Sequence, residues 1–132
     1  MTALDPSVLD ALTRAHYVSL TTYRKNGTPV ATPVWLAVDG GMLYVWTEAG
    51  SGKVKRLRRD GRVKVAVCDV RGRIAPGAAE AEGVGRLLDA EGTEKVRRLM
   101  ARKYLMFRLG DGWSRLTGRR RRHPIATVEI SF

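Results

Sequence analysis

The polar and apolar positions of this 132-residue chain change period several times, and each change marks an element. Val8, Leu9 and Leu12 form one apolar face behind Asp5, a good N-cap, and Pro6, which suits the first helical position, so residues 5–15 are predicted as a helix. YVSLTTYR at 17–24 alternates as a strand does, and Lys25-Asn26-Gly27 is a hairpin turn. The next strand, 28–38, contains Pro29 and Pro33; proline donates nothing to a ladder, so an edge or a bulge is expected there. Asp39-Gly40-Gly41 turns into a third strand, MLYVWT at 42–47, which completes an antiparallel meander. A short basic helix at 52–60 precedes RVKVAVCDV, a strand with Val63, Val65 and Val67 on one face. Beyond a loop at 71–77 come a glycine-containing strand at 79–89, a helix at 91–106 with Val96, Leu99, Met100, Lys103 and Tyr104 at helical spacing, and a last strand at 126–132. Residues 108–123 show only a loop or short helix around Trp113 and then a basic run. Six close-spaced strands with three or so helices predict a mainly β (α+β) fold, a small antiparallel barrel with helical insertions. The whole of 1–132 reads as a single domain with one core.

The stretch from Trp46 to Val67 carries the most chemistry. A strand ending at Trp46-Thr47 runs through Ser51-Gly52-Lys53 into the basic helix, with Ser51 placed as N-cap and Gly61 as C-terminal stop. Unpaired N–H groups and partial positive charge make a helix N-terminus a good phosphate holder and a poor place for a lysine. Lys53 in that first turn is explained by an anion lying between the two.

Charge and composition narrow the field. Lys and Arg number 24 against 13 Asp and Glu, a net +11, and the basic residues cluster in 53–64, 95–108 and 115–122 rather than in one tail. Such a surplus suits nucleic acid, anionic lipid or a polyanionic small molecule, or reflects an arginine-rich proteome. No nucleic-acid recognition motif accompanies it, so nucleic acid ranks behind a small anionic ligand. No apolar run reaches the length of a membrane span, and the first residues lack a basic-then-apolar signal pattern, which makes cytoplasmic the default location. Cys68 is the single cysteine, so no internal disulfide forms; it reads as buried bulk in its strand. His16 and His123 have no metal-ligand spacing, and no Ser-His-Asp arrangement is legible.

Taken together, SLTTYRKNGTPVATPVW, then GMLYVWT, then SGKVKRLRRDGRVKVAV resemble the flavin and deazaflavin oxidoreductases of the pyridoxamine 5′-phosphate oxidase-like superfamily, in particular its short actinobacterial members that use the deazaflavin coenzyme F420. The resemblance is specific from about Tyr17 to Asp69 and looser towards the C-terminus. It implies an FMN-binding split barrel that forms a homodimer, with a cofactor in each of two clefts between subunits and a small-molecule substrate stacked over the ring. It places Lys53 on the cofactor phosphate, helped by Ser51 and the turn N–H groups at Gly52. Thr47 and the backbone of Trp46 line the same pocket, and Thr32, Pro33, Val34 and Trp35 lie along the tricyclic ring. Lys55 and Arg56 reach towards further anionic groups of the tail, although no family motif fixes them. The run Arg119–Arg122 is either an exposed basic loop or a grip on the acidic tail of F420.

Two departures set this chain apart from true pyridoxamine phosphate oxidases. Those enzymes carry basic residues on the second strand for the FMN phosphate, where this chain has Val30, Ala31 and Thr32. They also end in an Arg-Leu-x-Pro segment, where this chain ends in TVEISF. The resemblance therefore implies an F420-dependent oxidoreductase that passes a hydride between the deazaflavin and a conjugated organic substrate. The alternatives are an FMN-dependent reductase or oxidase on the same fold, and a non-catalytic split-barrel protein that binds a cofactor or nucleic acid. No side-chain proton donor stands out; Tyr104 or a bound water is the candidate.

Overall fold

The computed structural model of the protein describes residues 4–104 and 124–132. Its elements are helix α1 (Pro6–Arg14), strands β1 (Tyr17–Tyr23), β2 (Pro29–Asp39) and β3 (Met42–Glu48), helix α2 (Gly52–Arg59), strands β4 (Arg62–Cys68) and β5 (Glu80–Leu87), helix α3 (Ala90–Lys103) and strand β6 (Ile125–Ser131). The strands close into an antiparallel barrel in the order β1-β2-β3-β6-β5-β4, with β4 paired back onto β1. This is the six-stranded barrel with three helices that the alternation predicts. Trp113, Arg119–Arg122 and His123 lie outside the described residues.

Alternation along the strands fills the barrel. Val18, Leu20, Leu36, Leu43, Val45, Val65, Val128 and Ile130 are at most 1% exposed and form one cluster. Leu12 of α1 and Leu57 of α2 join it, so each helix contributes its apolar face to the barrel interior. At Gly83 strand β5 lies too close to β6 for a side chain: a Cβ there would stand 2.4 Å from the Ser131 carbonyl oxygen, inside contact distance. Outside the barrel, Val96, Met100 and Tyr104 pack on Ala37, Tyr44 and Trp46, which seats α3 across β2 and β3.

Both prolines of β2 sit where they cost no ladder bond. Residues 29–34 pair with β1 alone, whereas β3 pairs only with 35–39. Pro29 and Pro33 thus occupy a half-strand with one neighbour, the edge anticipated from the sequence.

Three local expectations change. Helix α2 ends at Asp60 with φ −142°, so Gly61 is not a left-handed cap. Instead Gly61 allows β5 to approach: its carbonyl accepts from Gly85 N at 2.7 Å, and a Cβ there would lie 3.0 Å from Gly85 O. Cys68 ends β4 half-buried rather than filling the core, and burial pushes its thiol pKa up, with Asp69 adding to the effect. Tyr104 is a structural anchor. Its hydroxyl lies 2.7 Å from His16 O and 3.1 Å from Leu36 O as donor, and accepts from Leu36 N at 3.3 Å. Burial pushes its pKa up to about 12, so the phenol keeps the proton that these backbone contacts use.

Lys103 is the one strained charge at this face. Its Nζ is buried with no hydrogen-bond partner among the described residues, 5.6 Å from the Tyr104 ring centroid. Burial lowers its pKa to about 8. Lys103→Met keeps the stem and removes the charge, so it is expected to stabilise the fold by about 1–2 kcal/mol at pH 7. The folded state holds its proton less tightly than the unfolded chain, so the gain fades as pH rises from about 8 to 10.5. Thermal unfolding of both proteins at pH 7 and pH 10 measures it; an equal shift at both pH values contradicts the assignment.

Candidate functional site

The end of β3, the turn after it and the start of α2 meet β2 and β1 around a cavity of about 510 Å³. Its walls are Tyr17, Pro33, Val34, Trp35, Trp46, Thr47, Glu48, Ser51, Lys53 and Ile125. Four segments distant in sequence meet here through the barrel's strand order. Trp35 pairs with Trp46 across β2 and β3, Glu48 pairs with Ile125 across β3 and β6, and Tyr17 opens β1.

The ring-sized end of the cavity is apolar and braced from behind. Trp35 stacks on Tyr104 with centroids 5.2 Å apart and planes 20° from parallel. Trp46 is 7% exposed, packed against α3. The core reading and the site reading therefore hold together: each indole contributes to packing and also to the cavity wall.

The other end is cationic. Glu48 O accepts from Ser51 N at 3.1 Å, which closes the turn that starts α2. Ser51 occupies the N-cap position, but its side chain makes no cap hydrogen bond. Its hydroxyl is buried and unpartnered instead, at the wall of the cavity. Lys53 is half-buried; burial first, then Arg56, lowers its pKa, and Glu48 acts in the opposite direction. Among the described residues no carboxylate completes an ion pair with it. Arg56 is turned away: its Nε donates to Thr22 Oγ1 at 2.7 Å, and its guanidinium packs over Gly52, where a Cβ would stand 2.7 Å from it.

Of the residues singled out in the sequence, Pro33, Val34, Trp35, Trp46, Thr47, Ser51 and Lys53 are brought together around one cavity. Thr32, Gly52 and Lys55 are not among its walls. Thr32 is next to Pro33 with its Oγ1 buried and unpartnered, Gly52 lies under Arg56, and Lys55 is exposed. Tyr17, Glu48 and Ile125 were not anticipated. The phase of β3 carries past Thr47 to Glu48, so that residue had a local signal; Ile125 arrives only through the β3–β6 register.

Buried polar side-chain atoms without partners are few in folded proteins. Among the described residues they are Thr32 Oγ1, Trp46 Nε1, Ser51 Oγ and Lys103 Nζ. Two of the four, Ser51 and Trp46, line the cavity, and Thr32 directly precedes its wall residue Pro33 in the chain.

Comparison with known proteins agrees with this geometry. The family model described as pyridoxamine 5′-phosphate oxidase matches residues 4–126. No curated protein matches the sequence. Among solved structures, a conserved hypothetical protein of Mycobacterium tuberculosis is similar with a TM-score of 0.71 and 22% identity, over 98% of this chain and 81% of that one. A structure named F420 reductase is similar with a TM-score of 0.63 and 18% identity, over 97% of this chain and 94% of that one. A haem-binding protein of Mycobacterium smegmatis has a TM-score of 0.63 and 16% identity, over 96% of this chain and 52% of that one. At these identities the structures share the fold.

Proposed function

The chain belongs to the pyridoxamine 5′-phosphate oxidase family, whose barrel binds flavins or related cofactors, and from that premise we propose that it is an oxidoreductase using the deazaflavin coenzyme F420. The observation that carries this reading is a cavity of about 510 Å³ whose wall brings together Lys53, which completes no ion pair among the described residues, and Ser51 and Trp46, whose buried Oγ and Nε1 lack hydrogen-bond partners there. These residues fit such a group. Ser51, Lys53 and the first N–H groups of α2 would hold the phosphate, and the Pro33–Trp35 segment with Trp46 would flank the ring. When bound, a reduced deazaflavin supplies a hydride from its C5 carbon to an electrophilic carbon of a conjugated substrate.

The protein's own part is binding, orientation and exclusion of water. The stack of Trp35 on Tyr104 braces a wall that would orient a planar ring, the protein's contribution to holding reacting groups in place. With neutral Val30, Ala31 and Thr32 on β2, Lys53 is the cation of the phosphate end among the described residues, which supports F420 over FMN. A second copy of the chain, docked along the half-edge of β2 at 29–34, would complete the cleft as a homodimer.

Titration of the purified protein with F420 and with FMN, followed by quenching of tryptophan emission, tests the reading, since Trp35 and Trp46 line the cavity. Tight binding of F420 and weaker binding of FMN is expected. Protein that purifies yellow with bound flavin, or binds FMN more tightly, overturns the deazaflavin assignment.

A further inference from the structure

Glu48 is a carboxylate in the wall of a cavity whose phosphate end needs positive charge. The hydrogen bond from Ser51 N to Glu48 O at 3.1 Å closes the turn between them, so Glu48 is held beside the start of α2. Among the described residues the cavity wall carries one cation, Lys53, and this one acid. Arg56, the nearest second cation on the helix, is committed to Thr22 at 2.7 Å. Resting on the cofactor reading above, we propose that Glu48 sets the charge of the phosphate the cleft accepts, favouring a singly charged phosphodiester over a doubly charged phosphomonoester.

The physical basis is additive. A phosphomonoester carries roughly −1.5 to −2 at pH 7, whereas a diester carries about −1. The first negative charge meets Lys53 and the N–H groups of α2. Each charge is also repelled by Glu48, so the second adds only a small net gain. Lys53 also feels Glu48, which raises its pKa against the lowering by burial and Arg56. A phosphodiester therefore leaves less uncompensated negative charge in the site than a phosphomonoester does. Because Glu48 is exposed, solvent screens part of its field, and the effect per ligand charge is about threefold rather than a hundredfold.

Three flavins with the same ring and rising charge separate these terms: riboflavin, riboflavin 4′,5′-cyclic phosphate and FMN. Glu48→Gln removes the charge at an exposed strand end, where loss of folding is not expected. Relative to wild type, riboflavin affinity should stay unchanged, the cyclic diester should gain about threefold and FMN about tenfold. An equal change for all three, or none, overturns the role of Glu48. Lys53→Ala in the same series keeps the two readings apart. If it weakens the charged flavins while Glu48→Gln leaves their ranking untouched, the phosphate site stands and the Glu48 proposal falls. If Lys53→Ala spares the charged flavins, the phosphate site falls and the proposal with it.

Discussion

Lys53→Ala is expected to weaken binding of a phosphate-bearing deazaflavin or flavin by about 10- to 100-fold. A hydrogen bond to a charged partner contributes about 1.5–3 kcal/mol, and Lys53 is the cation in the wall of the cavity. The free protein sets up this gain. Burial and Arg56 hold the Lys53 pKa down, and no carboxylate completes an ion pair with it among the described residues. A bound phosphate reverses both penalties, so binding should raise the pKa of the lysine and take up protons where it is partly neutral. Lys53→Arg should retain more affinity than Lys53→Ala because it keeps the charge, though not the compact ammonium geometry. Folding should be unaffected, since the barrel core lies elsewhere. Isothermal titration of the variants measures the loss, and unchanged affinity in Lys53→Ala contradicts the assignment of the phosphate end.

Tyr104→Ala is expected to destabilise the fold by about 3–5 kcal/mol, and Tyr104→Phe by about 1–3 kcal/mol. Pairing between β1 and β2 ends at Val18 and Val34, and the next backbone groups of β2 in that direction belong to Leu36. The Tyr104 hydroxyl receives the Leu36 N–H and lies within reach of the Leu36 and His16 carbonyls, so it finishes a ladder that β1 no longer supplies. Phenylalanine leaves that buried N–H orphaned; alanine also removes the ring that stacks on Trp35. The pH dependence follows from the raised pKa. The phenol holds its proton more tightly folded, at about 12, than unfolded, near 10. Its stabilisation is therefore complete below about pH 10 and is lost as pH rises towards 12, an alkaline weakening that Tyr104→Phe should lack. Denaturant unfolding at pH 7 and pH 11 measures both effects. Equal pH sensitivity in wild type and Tyr104→Phe contradicts this role.

The elements themselves were legible because their signals are local. Asp5-Pro6 starts α1 with the Asp5 carboxylate accepting from Ser7 N at 2.8 Å, and Asn26-Gly27 turns the first hairpin with Gly27 at φ +88°. Lys53 and Ser51 were legible for the same reason, since a lysine in the first turn of a helix conflicts with the helix dipole unless an anion intervenes. What stayed hidden depends on register and long contacts. Ile125 reaches the cavity only because β6 pairs with β3, a closure that no spacing in the sequence specifies. Ser51 is the N-cap by position, as expected, but its hydroxyl makes no cap hydrogen bond and is left buried and unpartnered at the cavity wall. Gly61 looked like a helix stop and instead admits β5, since the crowding comes from a strand more than twenty residues later in the chain. Tyr104 looked like a spare phenol until its partners, 68 and 88 residues away in sequence, were in place.

The most direct test of the central claim is a crystal structure of the protein grown with F420. The cleft assignment predicts the cofactor phosphate within hydrogen-bond distance of Lys53 Nζ and Ser51 Oγ, with the ring lying along Pro33–Trp35 beside Trp46. A phosphate bound instead at the separate cavity lined by Arg86 and Lys95, with the Lys53 cleft left unchanged, would contradict it.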